Sequence, residues 1–448
     1  MRPSYKLSAF VQFLLVSQVC FCCLTSADAI EITCSVSTNA TLFALPPNFN
    51  YGRFISDAAG SIYAGTAGKW SSDGNLIWSN LYVGAPRGIA VNTGNLVVTG
   101  TDGQNILTVV YDQNGAAMWT NLYHGAGSQQ DRGEVAAIAG GGTVLTGGSS
   151  SRAGLPSAWD AGVIKYGTNG KPLWTNLIGS PVVGGFVSAG AIALDTNDSA
   201  FFGVSRQTPQ GYDACLVRYN SGGVPQWTNH YDGGGADFAA SIAPANDGSV
   251  YFAISSHAAT SGYDFLLIKY GPAGTPVWTN RFDTPEHGND YAEQIVVDAS
   301  GLIYLCGESS GAAGVSSVLL VYSPDGALLC STTFGYVPGW DDWGVRIEMA
   351  ASNRVMVVED FVSIGSPSYY GALRLRYRVT PSLGAAHFTA NQFSSVVTGP
   401  PNAPFIVECS TNLIHWSSIS TNVVPASRAT NMVFNAGTPR QFYRLANP

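Results

Sequence analysis

Phe265-Leu-Leu-Ile-Lys-Tyr-Gly-Pro-Ala-Gly-Thr-Pro-Val-Trp-Thr-Asn280 decides how this chain is read. An apolar run of strand-forming residues meets a Gly/Pro turn, and a second run ends in Trp278-Thr279-Asn280. The same order recurs over Ala161-Gly-Val-Ile-Lys-Tyr-Gly-Thr-Asn-Gly-Lys-Pro-Leu-Trp-Thr-Asn176. Trp followed by Thr or Ser and then Asn stands at Trp78, Trp119, Trp174, Trp227 and Trp278, at intervals of 41, 55, 53 and 51 residues. A near-constant period of this size, built from short strands and turns, marks a radially repeated sheet.

Working outward, the unit ending at Trp278 holds four apolar runs: Ala239–Ala243, Ser249–Ile254, Phe265–Tyr270 and Pro276–Phe282. Four short strands in about 50 residues is the pattern of a propeller blade. Runs such as Leu-Leu-Ile are apolar on both faces, as a sheet stacked between two neighbours requires. The expected fold is all-β: a β-propeller of seven four-stranded blades over 45–389, followed by a small C-terminal β-module over 390–448. The seven units run 45–82, 83–124, 125–180, 181–234, 235–287, 288–337 and 338–389. Cys330 replaces the Trp in the sixth, and the seventh degenerates near His387. Six or eight blades remain open, because the first two units are compressed and Ile30–Leu42 can add a strand.

These units resemble the β-propeller repeats of secreted and cell-surface bacterial proteins. The likeness is clearest at Asp298-Ala-Ser-Gly-Leu-Ile-Tyr304, at Asp264–Tyr270 and at Trp278-Thr279. It implies an architecture and no activity, since one scaffold carries unrelated functions. In the last stretch, Ser410-Thr-Asn-Leu-Ile-His-Trp416 and Phe442-Tyr-Arg444 resemble a terminal β-module of exported bacterial proteins. That resemblance implies a role in surface display, export or adhesion. The turn-plus-Trp unit also resembles the tryptophan-docking motif of quinoprotein dehydrogenases, nearest at Thr168–Trp174. After residue 29 adjacent cysteines are missing, and no calcium-ligand set stands out, so no cofactor and no metal are expected.

The first residues read as a signal peptide over 1–29: Arg2 and Lys6, an apolar stretch from Leu7 to Leu24, and Ala27-Asp28-Ala29. A secreted, cell-surface or periplasmic protein follows as the expectation, with 30–44 as an N-terminal extension and no transmembrane helix in the mature chain. Only 11% of residues are charged, and the net charge of −8 disfavours nucleic acid as a partner. The chain is expected to be a monomer whose partner is a glycan or a protein. Five cysteines remain after residue 29. Cys306 and Cys330, on the second and fourth strands of one unit, are too far apart to bond. Cys34 and Cys409 lie outside the regular repeat and form the candidate pair.

Strand alternation in a blade puts the first-to-second and third-to-fourth turns on one face. The second-to-third loops share the other face with the blade-to-blade connections. This second class reads as long and irregular: Gly148–Asp160, Arg206–Asp213, Ser255–Asp264, Ser309–Val315 and Ser363–Gly371. Binding residues collect on such loops. The candidate ligand-binding residues there are Trp159, Asp290, Tyr291, Trp340, Asp341, Asp342 and Trp343. Aromatic rings beside carboxylates suit sugars, the ring covering an apolar face and the carboxylate taking hydroxyl protons. Asp160, Asp213 and Asp264 repeat from unit to unit, and such residues more often cap turns than bind ligands. The regularly spaced Trp residues are assigned to packing between blades. No catalytic motif is present. The expected function is therefore a secreted, non-catalytic binding protein; the alternatives are a glycan-active enzyme and a structural envelope protein.

Overall fold

The computed structural model describes 34–44, 54–57, 61–64, 68–71, 75–80, 84–92, 94–127, 130–298, 301–311 and 314–334, and strands from 341 to 446. Over 34–44 and most of 341–446 only the backbone is described. Among these residues there is no helix, and every regular element is a strand. The protein is a β-propeller.

Six four-stranded antiparallel sheets follow one another along the chain, each in simple sequence order. Blade 1 spans Phe54–Ser56 to Leu76–Ser79, blade 2 Ala85–Val91 to Ala117–Tyr123, and blade 3 Arg132–Ile138 to Pro172–Ile178. Blade 4 is Val187–Leu194, Ala200–Thr208, Gly211–Tyr219 and Pro225–Tyr231. Blade 5 is Asp237–Pro244, Val250–Ala258, Gly262–Tyr270 and Pro276–Phe282; blade 6 is Asn289–Val297, Ile303–Gly311, Gly314–Tyr322 and Leu328–Phe334. The second and third strands of blade 2 are buried at every position. Side chains on both faces meet a neighbouring sheet, which is why the sequence runs lack alternation. Fourth strands are exposed edges.

In place of a regular seventh blade stands a five-stranded sheet of Asp341–Asp342, Arg346–Met349, Val355–Ile364, Tyr369–Val379 and Cys34–Ala44. The stretch read as an N-terminal extension thus supplies an outer strand, Cys34 lying opposite Val379 and Ala44 opposite Gly371. Ser382–Thr389, read as the end of the seventh unit, pairs instead with Gln392–Thr398. Pairing an early strand with a late one covers two sheet edges that would otherwise stay open. Two three-stranded sheets complete the chain and share a core of Val397, Phe405, Val407 and Val424, with Met432 against it.

The repeated Trp-(Thr/Ser)-Asn is a clamp from each outer strand onto the next blade. Trp174 Nε1 donates to Ser221 O at 3.0 Å and Asn176 Nδ2 to Gly223 O at 2.9 Å. Trp227 and Asn229 do the same to Pro272 O and Gly274 O at 3.1 and 2.7 Å, and Trp278 and Asn280 to Pro324 O and Gly326 O at 3.2 and 2.7 Å. The ring lies over a turn glycine with positive φ. A methyl at Gly223 would sit 2.6 Å from the Trp174 ring, so glycine is required twice over. The packing role assigned to these tryptophans is what the geometry displays.

Two expectations are corrected. The long second-to-third loops are extended hairpins, with Ser151 opposite Trp159 and Thr208 opposite Gly211. Serines such as Ser149, Ser150, Ser255 and Ser256 broke the apolar runs in the sequence, yet backbone pairing continues through them and they are buried. Cys409 is a free thiol and so is not bonded to Cys34; it sits within a paired strand, opposite Tyr443. Cys330 is disulfide-bonded.

Candidate functional site

Each third strand of blades 3, 4 and 5 carries, in its first half, an aromatic followed by an acid: Trp159-Asp160, Tyr212-Asp213 and Tyr263-Asp264. The first strands of blades 5 and 6 open on the reverse order, Asp237-Phe238 and Asp290-Tyr291. Neighbouring residues of a strand point to opposite faces. The rings therefore go to the rim and the carboxylates inward: Asp237, Asp264 and Asp290 are at most 1% exposed, whereas Tyr291 is 37% exposed.

On the rim the rings join. Tyr212 lies 5.6 Å from Phe238, Phe238 lies 5.8 Å from Tyr263, and Tyr263 lies 5.2 Å from Tyr291, measured between centroids. His257 meets Tyr263 edge-on at 5.2 Å. One junction away, Trp159 pairs with Phe186 at 6.2 Å, with the Arg132 guanidinium 5.6 Å from its ring. Offset rings at these separations attract, and the row spans two blade junctions.

Behind the row the acids are held by specific donors. Asp160 pairs with Arg152 through Nε at 3.0 Å and through Nη2. Asp264 Oδ2 accepts from Arg281 Nη1 at 2.7 Å. Asp290 accepts from Thr284 N at 2.7 Å and Thr284 Oγ1 at 2.9 Å. Burial pushes the Asp237 and Asp290 carboxyls above the ordinary carboxylate range. Asp213 is raised too, by burial and then by the charge of Asp232.

Of the sequence-chosen residues, Tyr291 and Trp159 stand on this rim. Asp290 adjoins them but is enclosed, so its carboxylate does not reach the surface. Asp341 and Asp342 form a two-residue strand opposite Ser363 and Val362 in the five-stranded sheet. Trp340 and Trp343 lie outside the described residues. Sequence reading missed Phe238, Arg281 and His287. The signal for Phe238 was present, since Asp237-Phe238 repeats the order of Asp290-Tyr291.

The propeller axis holds a cavity of about 220 Å³. First strands of all six blades line it, with Ile347 from the five-stranded sheet. Its walls are mostly apolar, among them Ile55, Ile89, Val135, Ile242 and Ile295, and among the described lining residues Glu293 alone is charged. Hydrolysis of a glycosidic bond needs two carboxyl groups, and among the described lining residues there is one, Glu293.

No family model matches the chain, and no curated protein matches it. Among solved structures it is similar to a gluconolactonase from Xanthomonas campestris, at 15% identity over 74% of this chain and 97% of that one, with a TM-score of 0.36. A Dyadobacter fermentans protein of unknown function shows 11% identity over 65% and 94%, with a TM-score of 0.44. An ulvan lyase of a polysaccharide lyase family shows 9% identity over 71% and 91%, with a TM-score of 0.40. These likenesses bring no residue role and no activity to this chain; the propeller assignment rests on its own sheet order.

Proposed function

We propose that the protein is an exported carbohydrate-binding propeller that holds a glycan along Tyr212, Phe238, Tyr263 and Tyr291. The row of four rings on one rim carries this reading. Successive rings offer successive sugars an apolar platform, and half-buried polar groups beside them, such as Asp213 and His257, serve hydroxyl groups. The charged, apolar and small residues of 1–29 support export, and the C-terminal resemblance supports a place at the cell surface. A glycan and polysaccharide array with the intact protein tests it. Tyr291→Ala and Tyr263→Ala are each expected to weaken a bound glycan about three- to ten-fold, the worth of one ring contact. Unchanged affinity in both variants would remove the rim from the site.

A second reading, a glycan-cleaving enzyme, is favoured by Asp213 and Asp232. A carboxyl raised by burial and then by a neighbouring carboxylate fits an acid/base pair, and Asp213 adjoins Tyr212 at the end of the row. Product release from an array polysaccharide, abolished by Asp213→Asn, would establish it. Binding without release leaves the first reading.

A further inference from the structure

Three carboxylates meet where blade 5 passes to blade 6. One oxygen from each of Asp264, Asp283 and Asp290 lies within 4.8 Å of the other two. Asp264 lies near the start of the third strand of blade 5, Asp283 follows its fourth strand, and Asp290 lies near the start of the first strand of blade 6. Arg281 occupies Asp264 Oδ2 at 2.7 Å, and His287 Nδ1 occupies Asp283 Oδ2 at 2.6 Å. The oxygens left over, Asp264 Oδ1 and Asp283 Oδ1, are enclosed and receive no hydrogen bond from any described residue. An enclosed carboxylate oxygen without a donor has given up its water and gained nothing. Gathering three carboxylates compounds the cost by repulsion.

We propose that Asp264, Asp283 and Asp290 form a calcium site at this junction. A single cation held among the three carboxylates offsets the repulsion and offers enclosed oxygens a partner. The ligand set is all carboxylate oxygen, which selects a hard cation over zinc or copper. Three carboxylates in one place suit calcium, whereas magnesium keeps most of its water and takes one or two. The site ties together the third strand of blade 5, the connection, and the first strand of blade 6. Asp264 and Asp290 adjoin Tyr263 and Tyr291 in sequence, so a bound ion also fixes that ring pair. The inference rests on the carboxylates alone and does not need the glycan reading.

Terbium, which takes calcium's oxygen ligands and emits when excited through nearby tyrosines, is the probe. With the intact protein, sensitised emission is expected to saturate at one ion per chain, to be chased by calcium, and to resist equimolar magnesium. Asp283→Asn, on a connection and partly exposed, should weaken binding more than about ten-fold. Asp232→Asn, the matching acid one blade earlier, should leave it unchanged. Calcium should raise the thermal midpoint of the wild type and of Asp232→Asn but not of Asp283→Asn. Absence of saturable emission overturns the proposal. So does wild-type affinity in Asp283→Asn or in a folded Asp264→Asn, or displacement by magnesium as effective as by calcium.

Discussion

At the blade 4–5 junction the acids are Asp213, Asp232 and Asp237; at the blade 5–6 junction they are Asp264, Asp283 and Asp290. The first two of each set are 19 residues apart, but the second and third are five apart at one junction and seven at the other. In the shorter connection Asp232 Oδ1 accepts from Gly234 N at 2.8 Å, so the carboxylate folds back on its own loop. In the longer one Thr284–His287 makes a turn, His287 N reaching Thr284 O at 2.9 Å, and His287 takes only one oxygen of Asp283. Among the described residues the three oxygens converge at the second junction alone. At blades 2 and 3 the places are held by Asn105, His124 and Asp131, with His124 Nδ1 2.9 Å from Asn105 Oδ1. Strand repeats set where the groups stand; the connection decides what they become.

The outer clamp should make the two junctions equal, and breaking it gives the largest expected effect. Gly274 has φ 82° and Gly326 has φ 93°. A methyl would stand 2.7 Å from the Trp227 ring at the first and 2.9 Å from the Trp278 ring at the second. Left-handed strain and overpacking together are expected to cost about 2–4 kcal/mol in Gly274→Ala and in Gly326→Ala. Chemical denaturation of both variants measures it. Losses that differ by more than about 1 kcal/mol would show that the clamp is not the common element.

That clamp was legible because it repeats: Trp78 through Trp278 give the period, and the turn glycines stand beside apolar runs. The row of rings was half legible. Tyr291 and Trp159 stand next to acids in the sequence, yet nothing there shows that Phe238 bridges Tyr212 and Tyr263 across a blade boundary. The acid cluster was not legible. Asp264 looked like one more repeated turn residue, and its partners come from two other elements brought together by a connection outside the strand pattern. Ring closure was hidden for a related reason, since pairing of Cys34–Ala44 with Tyr369–Val379 joins segments more than 300 residues apart.

An inner staple is also shared, and its loss should be smaller. Ala239 N donates to Ser205 Oγ at 3.1 Å across the blade 4–5 junction, and Ala292 N donates to Ser255 Oγ at 2.9 Å across blades 5 and 6. Ser205→Ala and Ser255→Ala each strand a buried amide, at an expected cost of about 1–3 kcal/mol. Equal losses at the two junctions, read from denaturation midpoints, would confine their difference to the rim. A much smaller loss at one would mean that its inner strands part more easily than the geometry implies.

The histidines separate the junctions with the least disturbance. His230 at the first is pushed below its ordinary 6.5 by burial and then by Arg206. His287 at the second is raised above 6.5 by its hydrogen bond to Asp283 and then by that carboxylate's charge. The two signs give opposite linkage. Stability from His230 is present above pH 6.5 and is lost as pH falls through its folded value. Stability from His287 is present below pH 6.5 and is lost as pH rises through its folded value. Imidazole proton shifts followed by NMR are expected to give midpoints on opposite sides of 6.5. Asp283→Asn should bring His287 back toward 6.5 and leave His230 in place. Calcium, by drawing on the charge of Asp283, should lower the His287 midpoint alone. A calcium shift at both histidines, or at neither, would place the ion away from the blade 5–6 junction.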